Sequence, residues 1–187
     1  METDTITAIA LGIGLAAAAG FRVFVPMLVA SIAAYFGVFP AQEGFMWLGS
    51  LPAVICFGTA TLFEILAYYI PVIDNFLDTI TTPMAVLMGT LLLTSVLPID
   101  NAMLKWLTGF IVGGGAAATV QSATVLTRLV STTATAGTIN PAVATTEHAA
   151  AVGTSLLSLV IPLIVVAVLL VLLVGVLVIF RKKFFRR

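Results

Sequence analysis

Hydrophobic positions run in long blocks along the chain, and the polar positions between them are few and clustered. A helix needs about 20 apolar residues to cross a hydrocarbon core ~30 Å thick. Five blocks approach or exceed that length. The first runs from about Ile6 to Phe36, and the second from Leu51 to Ile70, between Pro52 and Pro71. The third, Met84 to Leu97, lies between Pro83 and Pro98 and is short for a crossing. The fourth runs from Ala102 to about Ala136, and the fifth from Ala149 to Phe180 with Pro162 inside it. The pattern predicts an all-α fold: a polytopic transmembrane helical bundle of about five spans. A single membrane domain would cover residues 1–180, followed by a basic tail, 181–187.

Three of the blocks, of 31 to 35 residues, are too long for one crossing. As continuous helices at about 1.5 Å per residue they would reach roughly 47–53 Å. Gly20 and Pro26 in the first block, and Gly113-Gly114-Gly115 in the fourth, supply break points. Proline removes a backbone donor, and a membrane tolerates that only where neighbours satisfy the freed carbonyl. Kinked or discontinuous helices are therefore expected.

Composition narrows the class. Of 187 residues, 61% are hydrophobic and 9% charged, and the mean hydropathy is +1.21. Soluble domains carry about 25% charged residues. So little charge excludes a cytosolic enzyme, a disordered chain and a nucleic-acid binder. The net charge is zero, but five of the eight basic residues (Arg181, Lys182, Lys183, Arg186, Arg187) close the chain. The remaining three, Arg22, Lys105 and Arg128, stand against all eight acids. By the positive-inside rule the tail is expected in the cytoplasm of an inner (plasma) membrane. Five crossings would put the N-terminus on the opposite face, Lys105 on the tail's side, and Asp74, Asp78 and Glu147 on the outer side. The Met-Glu-Thr-Asp start lacks the basic region of a cleavable signal, so the first block is expected to be retained. Cys56 alone can form neither an intramolecular disulfide nor a cysteine metal site, and its apolar run suggests a buried small hydrophobe.

An internal repeat is also expected. Residues 14–37 set against 114–137 match at 8 of 24 positions, including Gly14, Val25, Ser31 and Gly37. Pro52-Ala53-Val54 and Pro141-Ala142-Val143 then open the following blocks, and Pro71 and Pro162 close them. Units of about 6–97 and 102–180 would run in opposite directions, a construction used by secondary transporters with their site near the midplane.

The charges that lipid penalises are the candidates for function. Arg22 lies near mid-depth, where an unpaired charge costs at least about 2.5 kcal/mol; it either receives an anionic substrate group or pairs with a buried acid such as Glu64. Glu64, inside Leu62-Phe63-Glu64-Ile65-Leu66, must itself be paired or protonated there. That suits coupling to protons, or a fixed partnership with Arg22 or Arg128. On the fourth block Gln121 and Arg128 share a helix face and would line a polar cavity, whereas the nearby Ser and Thr residues are expected to mediate packing. Asp74 and Asp78, four apart and joined by Asn75, share a face of an amphipathic piece, a candidate entrance or ion site. Glu147 and His148 follow the Asn140-Pro141 turn. Adjacent residues point about 100° apart and chelate poorly, so they are candidate entrance or pH-responsive groups rather than a metal pair.

These residues together resemble a known pattern. Gly14-Leu15-Ala16-Ala17-Ala18-Ala19-Gly20-Phe21-Arg22-Val23-Phe24-Val25-Pro26 is similar to the opening of a bacterial membrane-protein family called domain of unknown function 4126. So are Glu64 with the later Ile-Pro-x-x-Asp-x-x-x-Asp run ending at Asp78, and Arg128 with Asn140-Pro141 and Glu147. Where the pattern would have a Glu-Asp pair, this chain has Glu147-His148. The resemblance spans most of residues 10–150; it implies the helical membrane architecture and brings no established activity.

The expected function is a small transporter or channel-like protein with an intramembrane polar site, for an anionic small molecule or a lipid headgroup. Arg22, Glu64, Gln121 and Arg128 would bind the substrate, with Asp74, Asn75, Asp78, Glu147 and His148 at an entrance or ion site. No cofactor is implied. The expected partners are the lipid bilayer, a small molecule or ion, and further copies of the chain, without nucleic acid. Two alternatives stand beside it: a metal-dependent enzyme acting on lipid, and a membrane scaffold subunit.

Overall fold

The computed structural model describes residues 2–184, except for the side chains of residues 2–4, 71–72, 74–75, 176–177 and 179–184. Asp74, Asn75 and the basic tail residues therefore carry no side-chain account. Among the described residues there are eight α-helices and no strand. They are α1 (Glu2–Ala19), α2 (Phe24–Tyr35), α3 (Leu51–Ala67), α4 (Pro71–Val96), α5 (Ala102–Thr108), α6 (Gly115–Thr135), α7 (Asn140–Val160) and α8 (Pro162–Phe184). A 3₁₀ turn, Glu43–Gly49, precedes α3, and a π-helical stretch, Gly109–Gly114, joins α5 to α6. Among the described residues, two helical stretches are long and apolar enough to cross a membrane, Phe76–Val96 and Ala102–Thr135. The 3₁₀ turn with α3, bent by 63°, makes a third if taken as one span.

The first block does not form one long helix. Its α1 ends where Gly20, Phe21 and Arg22 turn back onto the carbonyls of Ala17 and Ala18 at 3.0–3.2 Å. The next helix starts at Phe24, so Pro26 falls in its first turn, where a missing N–H breaks no helical hydrogen bond. The two limbs then fold back on each other. Gly12 of α1 lies against Leu93 and Val96 near the C-terminal end of α4. After α2, the Gln42 N–H donates to the Ser95 carbonyl at that same end, at 2.8 Å. The turn between the limbs is buried further along the bundle, with Gly20 against Ala117, Val120 and Gln121 of α6. So α1 and α2 are a helical hairpin whose tip, Gly20–Val23, lies inside the bundle. Leu15 through Ala19 are all buried, as expected of a helix that is apolar on every side.

The fourth block behaves in the opposite way. Its glycines do not break the helix; they widen it into the π-helical stretch and bring it onto α4. A Cβ on Gly89 would stand 2.6 Å from Ala117 Cβ and 2.7 Å from the Gly113 carbonyl oxygen. Two backbones thus touch, and glycine alone permits the approach. The hydroxyls along this seam turn inward to their own helix, Thr94 Oγ1 donating to the Thr90 carbonyl and Thr90 Oγ1 to that of Val86, both at 2.7 Å. The third block is also longer than its pattern suggested. The helix runs through Pro83 and absorbs the amphipathic Asp74–Asp78 piece into the 26-residue α4.

The proline and glycine punctuation recurs. After α2 and after α6, Gly37 and Gly137 adopt positive φ, 72° and 81°, a backbone state that favours glycine. Pro52 and Pro141 lie in the first turns of α3 and α7, and Pro71 and Pro162 begin α4 and α8. Cys56 departs from expectation: it is exposed on α3. An apolar run facing lipid is no guide to which of its members point inward.

The seam predicts a contrast between two glycines. Gly89→Ala should destabilise the detergent-solubilised protein by about 1–3 kcal/mol through overpacking. Gly115→Ala, with nothing within 4 Å of the added methyl, should be neutral or stabilising by up to about 1 kcal/mol. Thermal melts of the two variants compare them directly, and equal melting points would contradict the seam.

Candidate functional site

The hairpin tip delivers Arg22 into a cluster of charges. Arg22 and Arg128 are 2% and 3% exposed, and Glu147 is 5% exposed. Arg22 Nη2 lies 2.9 Å from Glu147 Oε2. From α6, Arg128 Nε donates to both Glu147 oxygens at 3.2 and 3.0 Å, and its Nη2 pairs with the same Oε2 that Arg22 holds. One carboxylate on α7 thus joins the hairpin tip to α6. The ring of Tyr68, just past α3, stacks on both cations, 3.7 Å from the Arg22 guanidinium carbon and 4.2 Å from that of Arg128. Cation–π contact of this kind is worth about 2 kcal/mol or more when desolvated.

The rest of Arg22 is also engaged. Its Nε donates to His148 Nδ1 at 2.6 Å, its Nη2 to the Ala144 carbonyl at 3.4 Å and its Nη1 to the Phe21 carbonyl at 3.2 Å. Because His148 Nδ1 accepts, the neutral ring carries its proton on Nε2. That nitrogen is buried without a hydrogen-bond partner among the described residues. Successive α7 residues, Glu147 and His148, therefore grip the same guanidinium.

Glu64 has a different role from the one its position suggested. Its Oε1 accepts from the Val23 N–H at 2.8 Å and its Oε2 from the Phe24 N–H at 3.0 Å. Those are orphan donors at the N-terminus of α2, where the helix dipole favours an anion. A carboxylate from α3 thus caps the returning limb of the hairpin from outside it, and anchors Arg22 one residue before Val23.

A polar chain continues toward α4 and α6. Tyr68 Oη donates to Asp78 Oδ1 at 3.3 Å and shares a 3.1 Å hydrogen bond with Thr81. Gln121 Nε2 donates to Thr81 Oγ1 at 3.3 Å. Asp78, with its side chain 16% exposed, approaches Arg128 Nη1 at 3.8 Å. Here the cluster meets a cavity of about 360 Å³ lined by Asp78, Thr79, Val125, Arg128, Leu129 and Thr132. A second cavity, about 280 Å³ and mostly apolar, reaches Glu64 and Thr81.

Arg22, Arg128, Gln121 and Glu64 are thus drawn into one connected site. The expectation that Glu147 and His148 form an outer entrance is corrected: both are buried and hold Arg22, because α7 starts at Asn140 and carries them inward. Asp78 lines the cavity beside Arg128. Tyr68 and Thr81 escaped sequence reasoning, although Tyr68 follows Glu64 by one helical turn and a phenol amid apolar residues is itself a signal. No group of three His, Cys, Asp or Glu side chains suited to a metal occurs among the described residues. Glu64 is committed to backbone donors and His148 Nδ1 to Arg22.

Membrane-length apolar helices closed around paired, buried charges define a helical membrane protein. Within that class, the family model described as Domain of unknown function (DUF4126) matches residues 9–182, and the chain belongs to that family. No curated protein and no solved structure matches it.

The Glu64 cap makes a stability prediction. Glu64→Leu orphans the buried Val23 N–H and the part-buried Phe24 N–H, and should cost about 1–3 kcal/mol for the first and less for the second. Glu64→Gln keeps an acceptor oxygen and should cost less. Denaturation in detergent micelles would rank the variants, and a leucine variant as stable as wild type would remove the cap from the account.

Proposed function

We propose that this chain is a small transporter whose polar site at the hairpin tip receives the anionic group of a solute or lipid headgroup. One observation carries the reading: two guanidiniums from separate elements converge on a single carboxylate beside a cavity. Glu147 is then the resident counter-ion that holds Arg22 and Arg128 in place, and the substrate's anionic group reaches Arg128 from the cavity side in the loaded state. Gln121 and Thr81 orient the site through Tyr68, while Glu64 holds the hairpin tip in register. Asp78 stands at the opening, and Asp74 and Asn75 belong to the same end of α4.

In this reading α1–α2 is a re-entrant hairpin, and α3, α4, α5–α6, α7 and α8 cross the bilayer. The repeated glycine and proline punctuation supports two related units of inverted direction, the first modified by its hairpin. The parity of crossings still separates the termini, with the basic tail cytoplasmic. It moves Lys105 to the side of the N-terminus, however, and the Asp78 end to the side of the tail. The exposed apolar faces of α6 and α8 suit lipid and further copies of the chain.

A scaffold subunit is the competing reading, favoured by the completeness with which Glu147 and His148 already satisfy Arg22. Flux separates the two. Purified protein in liposomes should carry a labelled solute bearing an anionic group, such as a small amino acid, and Arg128→Gln should slow that flux by about tenfold or more, the worth of a charge-assisted hydrogen bond. Reporter fusions at the two termini should give opposite faces. Flux in protein-containing liposomes no greater than in empty ones, across a panel of small carboxylates, phosphate and amino acids, would favour the scaffold.

A further inference from the structure

Resting on the transporter reading above, we infer that the ligand of the cavity at Asp78 and Arg128 is a zwitterion: a primary ammonium and an anionic group a few bonds apart. The lining carries the argument. A simple anion would meet Asp78 at the mouth and be repelled, and a simple cation would meet Arg128. The cavity presents both charges on one wall, Asp78 Oδ1 and Arg128 Nη1, 3.8 Å apart. That separation is looser than the contacts Arg128 makes with Glu147. A zwitterion exchanges this loose internal pair for two charge-assisted contacts of its own, so the charge of the site is unchanged.

The remaining lining fits the same ligand. Thr79 and Thr132 offer hydroxyls, and Val125 and Leu129 offer an apolar wall for a short aliphatic group. The Asn140 amide donates to Thr132 Oγ1 at 3.1 Å, which fixes that hydroxyl as part of the wall. About 360 Å³ holds a small amino acid or an ethanolamine-phosphate headgroup. Both offer the same chemistry, one from water and the other from the bilayer.

The experiment compares isosteres. Ligand-dependent thermal stabilisation of the full chain would be measured with L-alanine, propionate, ethylamine and O-phosphoethanolamine. It would be run in nanodiscs of phosphatidylglycerol alone and in nanodiscs containing phosphatidylethanolamine. Alanine or phosphoethanolamine should bind about tenfold more tightly than propionate or ethylamine. If phosphatidylethanolamine abolishes the added stabilisation, the headgroup is the source; if alanine stabilises equally in both discs, the free zwitterion is. Asp78→Asn should weaken alanine about tenfold and strengthen propionate, which the aspartate no longer repels. Leu129→Trp, which fills the cavity from its exposed side, should abolish stabilisation with the helical circular dichroism intact, and tests the site even if the aspartate variant does not fold. Propionate binding as tightly as alanine, or no zwitterion binding in either disc, would overturn the inference. Zwitterion binding without flux would instead sink the transporter reading and leave the ligand class standing.

Discussion

One carboxylate organises the interior of this protein. Glu147 is bound by Arg22 from the hairpin tip and by Arg128 from α6, with Tyr68 stacked on both cations. Taking a guanidinium out of water costs several kcal/mol, and mutual attraction repays that only where hydrogen bonds are nearly complete. Arg22 meets that condition, with His148 and two backbone carbonyls taking three more of its donors. The rest of the fold can be understood as what brings these groups together.

Two devices do so, both made of backbone. The hairpin carries a cation to the bundle interior and turns back there, and its second limb is held by the Glu64 carboxylate on its first free N–H groups. The glycine seam between α4 and the π-helical stretch lets those helices touch. That close approach sets Gln121 against Thr81 and Arg128 against Asp78. Without hydrophobic driving force between helices in lipid, such close packing and polar contacts are the available sources of association. Stability and site are consequently the same interactions.

Much of this was legible in the sequence. The cost of charge in lipid singled out Arg22, Glu64 and Arg128, and all three are buried in one cluster. Gly20 and Pro26 marked the break after α1. Hydropathy carries no information on direction, so it could not tell a kinked crossing from a reversal. Partner choice was hidden for a related reason. Glu64 looked like the mate of Arg22 because both were buried and opposite in charge, yet helix ends present donors that leave no mark in the side-chain sequence. Glu147 looked peripheral because the apolar run begins after it, whereas Asn140-Pro141 starts the helix two turns earlier. Cys56 failed for the reason peculiar to membranes, that apolar neighbours can face lipid.

The central claim is that Glu147 couples the hairpin to the bundle, and a double-mutant cycle on unfolding stability tests it most directly. Arg22→Gln, Glu147→Gln and the double variant would be unfolded in the same detergent. The account predicts that the double variant loses less than the two singles combined, with a coupling energy of about 1–3 kcal/mol. Losses that add to within about 0.5 kcal/mol would contradict it.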